Sequence, residues 1–307
     1  MVSSHGGIPV AEKDILEKTL EDYNDVFADI VNGLLFHGEQ KISPKDLVEA
    51  APYSMYKTEN GVHEEERDVA KYWMKKGQTD GKDETINVRL CLLGLENQTQ
   101  YDQDMPLRVI GYDGAAYRAE LDQAERYPVI TLVLNFGSRK WGKSKSLYQR
   151  ISVPEELKPY VSDYRINVFD IAFLSDEEIA LFHSDFKIVA DYFAHHRTNE
   201  NYRPTDPQKF KHTDEALKLF SVLTKDSRFV ETLKNNKGGK PNNMWEALDI
   251  IEEKGEKRGE KRGIVKGENK LSTLINKLFE ANREDEVLKV TNNIRYRNKL
   301  YKEFQIT

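Results

Sequence analysis

Residues 86–98 read INVRLCLLGLENQ. An apolar, strand-like run ends in the polar triplet Glu96-Asn97-Gln98. In a strand, residues two apart face the same side, so Glu96 and Gln98 share a face. A carboxylate beside a carboxamide oxygen at a buried strand end is a way to hold a divalent cation. A solvated strand end reads the same way from the triplet alone. The flanking sequence has to separate the two.

Upstream, residues 67–74 (RDVAKYWM), which carry Asp68, read as a short strand, with a helical turn as the alternative. The turn-rich stretch 75–84 (KKGQTDGKDE) joins it to the 86–96 strand as a hairpin or meander. Downstream, residues 103–122 read as a helix with Pro106 in its first turn, where proline is tolerated. Residues 127–136 (YPVITLVLNF) are almost continuously apolar, as in a strand buried on both faces. Strand, helix, strand in that order predicts a βαβ crossover and a parallel pair. The fold class expected is α/β, a mixed sheet flanked by helices with a helical C-terminal extension.

Further out the pattern is mainly helical. Residues 11–35 carry apolar side chains at three- and four-residue steps. Asp25, Asp29 and Asn32 fall in one sector opposite them, either a solvated face or polar groups leaning over a site. Between Pro44 and Pro52 a short helix is expected, and residues 57–65 read as a polar loop. Residues 165–173 form another candidate strand. The stretch 175–196 reads as one helix opened by a Ser175/Glu178 capping box. The adjacent His195 and His196 at its end cannot face one ligand, so they make no metal pair. Further helices are expected at 213–233, 242–253, 271–280 and 284–301. Gly-Glu-Lys-Arg repeats directly at 255–258 and 259–262, and glycine every four residues disfavours a helix there. The expected organisation is a disordered 1–10, a domain at 11–198, a helical extension at 199–253, a charged linker at 254–270 and a helical tail at 271–307.

Composition narrows the function classes. Of 307 residues, 32% are charged and 38% apolar, which describes a water-soluble globular chain. No apolar run reaches the roughly 18 residues that a membrane span needs. The N-terminus lacks a basic start and apolar core, so a cytoplasmic location without membrane contact is expected. Cys91 is the single cysteine, which excludes an intramolecular disulfide and a Cys-rich metal site. It reads as a small buried hydrophobe. A net charge of −6 argues mildly against a protein that coats nucleic acid, yet local patches bind phosphates. Residues 139–150 (RKWGKSKSLYQR) are such a patch, with Arg139, Lys140, Lys143, Lys145 and Arg150, no acid, and Trp141 and Tyr148 interleaved. An exposed basic loop with no ligand is the alternative.

Asp68 and Glu96 on adjacent strands, with a polar residue two after the second, match the layout of a metal-dependent nuclease. Phosphodiester hydrolysis needs charge neutralised at the phosphate and a water made nucleophilic, which Mg²⁺ supplies. Several segments in order carry a resemblance: 24–42 (NDVFADIVNGLLFHGEQKI), 66–73 (ERDVAKYW), 91–113 (CLLGLENQTQYDQDMPLRVIGYD), 127–147 (YPVITLVLNFGSRKWGKSKSL) and 184–193 (SDFKIVADYF). The chain resembles the Rpn (recombination-promoting nuclease)/YhgA-like transposase group of the PD-(D/E)XK nuclease superfamily, in which a charged repeat before a helical tail is also usual. The resemblance implies a restriction-endonuclease-like core and a Mg²⁺-dependent DNA endonuclease linked to recombination or mobile elements, with Mn²⁺ as a substitute and no organic cofactor. It implies metal binding by Asp68, Glu96 and the backbone carbonyl of Asn97. Gln98 stands where lysine usually stands and would orient water or phosphate by hydrogen bonds. Asp29, or else Asp25, would join from the first helix. Arg108 would hold a phosphate or pair with an acid, and Arg139, Lys140, Lys143 and Lys145 would contact DNA. A homodimer suits the cutting of two strands. Glu64, Glu65 and Glu66 add negative field beside Asp68. The alternative is a weakly active or inactive nuclease-fold protein that binds DNA or a protein partner, for example in phage defence.

Overall fold

The computed structural model describes residues 20–50, 53–58, 61–79, 82–121, 123, 125–204, 206–234 and 239–306. The disorder expected at 1–10 and the first part of the 11–35 helix lie outside them. The chain divides into one compact unit up to Ala247 and another from Leu248 onward.

The first unit is built on a five-stranded mixed sheet. Helix α1 (Asn24–Leu35) is followed by a 3₁₀ turn at Pro44–Asp46 and strand β1 (Leu47–Glu49). Strands β2 (Tyr53–Thr58) and β3 (Gly61–Glu66) form a separate antiparallel hairpin. Strand β4 (Val69–Thr79), the long β5 (Lys82–Gln98), helix α2 (Met105–Ala119), β6 (Val129–Asn135) and β7 (Asn167–Asp170) complete the core. The sheet order is β1-β4-β5-β6-β7. Pairs β1/β4 and β4/β5 are antiparallel, while β5/β6 and β6/β7 are parallel. The expected βαβ unit is therefore present, with α2 as the crossover.

The two-sided apolar character of β5 follows from its place in the middle of the sheet. Leu93 and Leu95 are buried together with Leu132 and Leu134 of β6. Leu92 and Ala70 pack against Ala116 of α2, and Val133 packs with Met105, Val109 and Tyr112 of the same helix. Elsewhere in the unit, α4 (Phe186–His196) joins its neighbours through aromatic contacts of Phe186 with Phe136 and Phe182. Gly33 of α1 leaves room for Phe182, whose ring carbon lies 2.3 Å from where a Cβ would stand.

Four local expectations are corrected. Within 57–65, the described residues 57–58 and 61–65 are not loop but lie in the paired antiparallel strands β2 and β3. The segment between Pro44 and Pro52 holds a 3₁₀ turn and an edge strand in place of a short α-helix. The 175–196 stretch is two helices, α3 (Asp176–Ile179) and α4. Its capping box is present, but the amides of His183 and Ser184 donate to Asp29 instead of continuing the helix. The 213–233 stretch likewise splits into α5 (Thr213–Thr224) and α6 (Arg228–Leu233), because Lys225 is left-handed with φ 57° and Asp226 accepts the Arg228 amide.

Helix α7 (Met244–Glu280) runs straight through the Gly-Glu-Lys-Arg repeat expected to be a linker. Glu253 and Lys257, four apart, form an ion pair of the kind that supports exposed helices. Within the second unit, Leu274 and Leu278 pack with Val290 of α8 (Val287–Asn292) and Leu300 of α9 (Ile294–Glu303). Among the described residues, no helix is long and apolar enough to cross a membrane.

Candidate functional site

The carboxyl end of β5 carries the site. Asp68 lies in the bend just ahead of β4, and its carboxylate accepts the backbone N–H of Asn97 at 2.6 Å. The N–H and C=O of one strand residue point to the same side. The Asn97 carbonyl is therefore directed to the edge on which Asp68 lies. Glu96 and Gln98 share a face, as the alternation requires, and the Gln98 amide donates to Glu96 Oε1 at 3.2 Å. Asp68, Glu96, Asn97 and Gln98 are thus brought together at one strand end.

Helix α2 closes the site from above. Arg108, one turn into that helix, donates from Nη2 to Glu96 Oε1 at 2.6 Å and from Nη1 to Asp102 at 3.3 Å. Its guanidinium also contacts the Tyr112 hydroxyl at 2.9 Å. Of the two roles open for Arg108, pairing with an acid is the one its position displays. Glu96 is 2% exposed, and its second oxygen, Oε2, is buried with no hydrogen-bond partner. Burial, and next the negative charge of Asp68, push the Glu96 carboxyl well above the usual carboxylate range, while Arg108 and Gln98 pull it down. Burial and the charge of Glu96 also push the Tyr112 phenol up to about 12, so it stays a neutral hydrogen-bonding group.

A second layer was not foreseen from the sequence. Arg67, next to Asp68, is fully buried and bonds Asp113 of α2 at 2.7 Å and the Thr131 hydroxyl of β6 at 3.2 Å. The Tyr164 hydroxyl donates to the other oxygen of Asp113. Gly94 makes this possible, because a Cβ there would lie 2.5 Å from Arg67 Cδ. The break that Gly94 makes in the apolar run LCLLGL was the available signal. Glu21, three residues ahead of α1, is buried and accepts from the Asn97 side chain at 2.7 Å. No motif marked it.

Other expected members lie elsewhere. Asp29 is buried, but it binds the amides of His183 and Ser184 and does not lean over the strand end. Asp25 pairs with Lys211 at 2.7 Å and with His212 at 3.1 Å. Asn32, in the same sector, is buried and bonded to Ile42, so this is not a solvated face. The side chains of Glu64, Glu65 and Glu66 lie outside the described residues, and with them the expected negative field. Cys91 is buried as expected, and burial raises its thiol to about 11.

The basic loop following β6 is only partly a charged surface. Trp141 is buried, with its indole N–H on the Ser144 carbonyl and its ring edge-on to Tyr101. Tyr148 turns its hydroxyl to the Lys158 and Val161 carbonyls. The Trp141 ring and the Tyr148 hydroxyl therefore hold the loop in shape, and the buried Trp141 ring is not a stacking platform. Arg150 is paired with Asp104, and Lys140 lies over the Phe173 ring at 5.5 Å. Arg139, Lys143 and Lys145 remain as cations that make no ion pair among the described residues.

Chemically, the strand end offers oxygen donors only: the two carboxylates of Asp68 and Glu96 and the Asn97 carbonyl. Such a set suits a hard divalent cation that keeps several waters. The orphaned Oε2 of Glu96 fits it, because a buried carboxylate oxygen without a donor is costly unless a cation or proton meets it. Among the described residues, no group of three or more His, Cys, Asp or Glu side chains is gathered for a metal, so any cation here would be held by two carboxylates and backbone.

No curated protein and no solved structure matches the chain. Residues 89–206, from the second half of β5 to beyond α4, match the model of the family described as "Putative transposase, YhgA-like", and over that segment the resemblance read from the sequence is borne out.

Proposed function

We propose that this protein is a divalent-cation-dependent DNA endonuclease of restriction-endonuclease-like architecture, serving recombination or a mobile element. The observation that carries the reading is the buried, partnerless Oε2 of Glu96 beside the Asp68 carboxylate. The similarity of residues 89–206 to a transposase family supports DNA as the substrate. Asp68, Glu96 and the Asn97 carbonyl would hold Mg²⁺ or Mn²⁺. The ion supplies charge neutralisation at the phosphate and a more acidic water. Gln98, anchored to Glu96 Oε1, presents its carboxamide oxygen as an acceptor that can orient a water. It has no charge to offer, so neutralising the phosphate falls to the cation and to nearby arginines. Arg139, Lys143 and Lys145 supply a patch for the DNA backbone.

A plasmid-nicking assay with Mg²⁺, Mn²⁺ and Ca²⁺ tests the reading. Nicking in Mg²⁺ or Mn²⁺ that is lost in Asp68→Ala and Glu96→Ala is expected. Wild-type cleavage by both variants would overturn the assignment. A second reading, a nuclease-fold protein that binds DNA or a protein partner without cutting, is favoured by one observation. Arg108 already neutralises Glu96 at 2.6 Å. DNA binding unchanged by Mg²⁺ or Mn²⁺, with no nicking, would select it.

A further inference from the structure

Glu96 treats its two oxygens differently. Oε1 receives the Arg108 guanidinium at 2.6 Å and the Gln98 amide at 3.2 Å, while Oε2 is buried with no partner. The Glu96 side chain is 3% exposed, whereas that of Arg108 is 41% exposed. The carboxylate is therefore fixed and its counter-ion reaches it from the solvent side. Arg108 also has a second acid within reach, Asp102 at 3.3 Å, which is 29% exposed. Asp102 belongs to the segment between β5 and α2, at the rim of a cleft of about 480 Å³ lined by Gln98, Tyr101 and Asp104 among others. A guanidinium and a divalent cation cannot share one carboxylate without strong mutual repulsion in a poorly solvated site.

We infer that Arg108 is a built-in counter-ion of Glu96, displaced when a divalent cation enters and then held by Asp102. The inference rests on the cation-binding reading proposed above. Arg108 is in this sense a positioning residue. It keeps the buried carboxylate compensated in the cation-free protein and sets the concentration at which the cation takes its place. Asp102 holds the departing charge at the cleft rim. The Tyr112 hydroxyl, bonded to two guanidinium nitrogens at 2.9 and 3.3 Å, serves as the pivot. The cost of binding is the Arg108–Glu96 contact given up, and the Asp102 contact, already made at a long 3.3 Å, offsets part of it by shortening once the guanidinium is released.

The test is a titration of the full-length chain with Mn²⁺, read as free Mn²⁺ by electron paramagnetic resonance, without DNA and without turnover. Arg108→Gln removes the competing charge and should bind Mn²⁺ roughly 10- to 100-fold more tightly than wild type, the range expected for one charge-assisted contact. Asp102→Asn leaves Arg108 without its second partner and should bind more weakly than wild type. Glu96→Gln should lose the site. Equal or weaker Mn²⁺ binding by Arg108→Gln, with wild type binding and Glu96→Gln not, would overturn the counter-ion role and leave the cation site standing. Absence of binding in wild type and Arg108→Gln alike, or an unchanged Glu96→Gln, would overturn the cation reading and this inference with it. Thermal melting of each variant without Mn²⁺ checks that the chains compared are folded.

Discussion

Arg67 and Asp113 form an ion pair at 2.7 Å with side chains 2% and 4% exposed, beneath the strand end that carries the site. The pair ties the bend holding Asp68 to the helix holding Arg108. Every strong donor around it is used, since Thr131 and Tyr164 both bond Asp113. Removing one partner of such a pair strands the other charge in a dry interior, which costs about 3–5 kcal/mol. Asp113→Ala should therefore lower unfolding stability by that amount in a urea titration. Gly94→Ala should destabilise as well, because its Cβ would meet Arg67 Cδ at 2.5 Å. Near-wild-type midpoints for both variants would show that the pair does not anchor the site.

The glycines of the charged repeat invite the opposite change. Gly255, Gly259, Gly263 and Gly267 lie in α7, and a Cβ added to any of them meets nothing within 4 Å. Alanine there is compatible with the helical backbone and removes the glycine penalty of about 1 kcal/mol per site. Gly259→Ala with Gly263→Ala should raise helical circular dichroism and the melting temperature of the segment. A decrease in either would mean that the repeat is required to leave the helix.

Much of the core was legible because its signals are local. The apolar run of β5, the helix with Pro106 in its first turn and the apolar run of β6 each follow a period set by neighbours in the chain, and together they dictate a parallel βαβ unit. The pairing of Asp68 with the Glu96 strand end could also be read, since a hairpin brings its two arms together. What escaped depends on contacts far apart in sequence. Asp29 looks like a polar helix face until His183 and Ser184, more than 150 positions away, place their amides on it. The same contact interrupts the helix expected across 175–196. Trp141 sits in a basic run that reads as a nucleic-acid loop, and only its burial against Tyr101 and Ser144 shows that it fastens the loop. Arg67 had no periodic signal, because a buried arginine is paid for by partners on two other elements.

Acid should loosen a contact remote from the site. Asp25 of α1 accepts hydrogen bonds from Lys211 at 2.7 Å and His212 at 3.1 Å, ahead of α5. Partial burial pushes its carboxyl up, but the hydrogen bonds and charge interactions with Lys211 and His212 outweigh burial and hold it below its ordinary value. A carboxyl whose folded pKa is depressed contributes stability above its unfolded pKa and loses it as pH falls through the folded one. The contribution is present in full at neutral pH, begins to fall below about pH 4 and is lost as pH passes through the depressed folded value. Asp25→Asn should therefore cost stability at pH 7 and little at pH 3, so the two chains converge in acid. Parallel stability curves from pH 7 to 3 would rule out the linkage.

The basic loop offers the most direct check on the nucleic-acid surface. Arg139 and Lys143 are exposed and Lys145 is half-buried, whereas Lys140 rests on Phe173 and Arg150 is bound to Asp104. If DNA binds here, each of these three cations, which make no ion pair among the described residues, displaces roughly one counter-ion, and each contributes about 0.9 to the slope of log K against log salt. Replacing Arg139, Lys143 and Lys145 by alanine should flatten that slope by about 2–3 for duplex DNA of any sequence. Replacing Lys140 alone should change it less, since its ammonium is already directed at an aromatic face. The triple variant should keep the wild-type melting temperature, because the buried Trp141 and Tyr148 shape the loop. An unchanged salt slope in the triple variant, measured by fluorescence anisotropy, would move the DNA contact to another face of the protein.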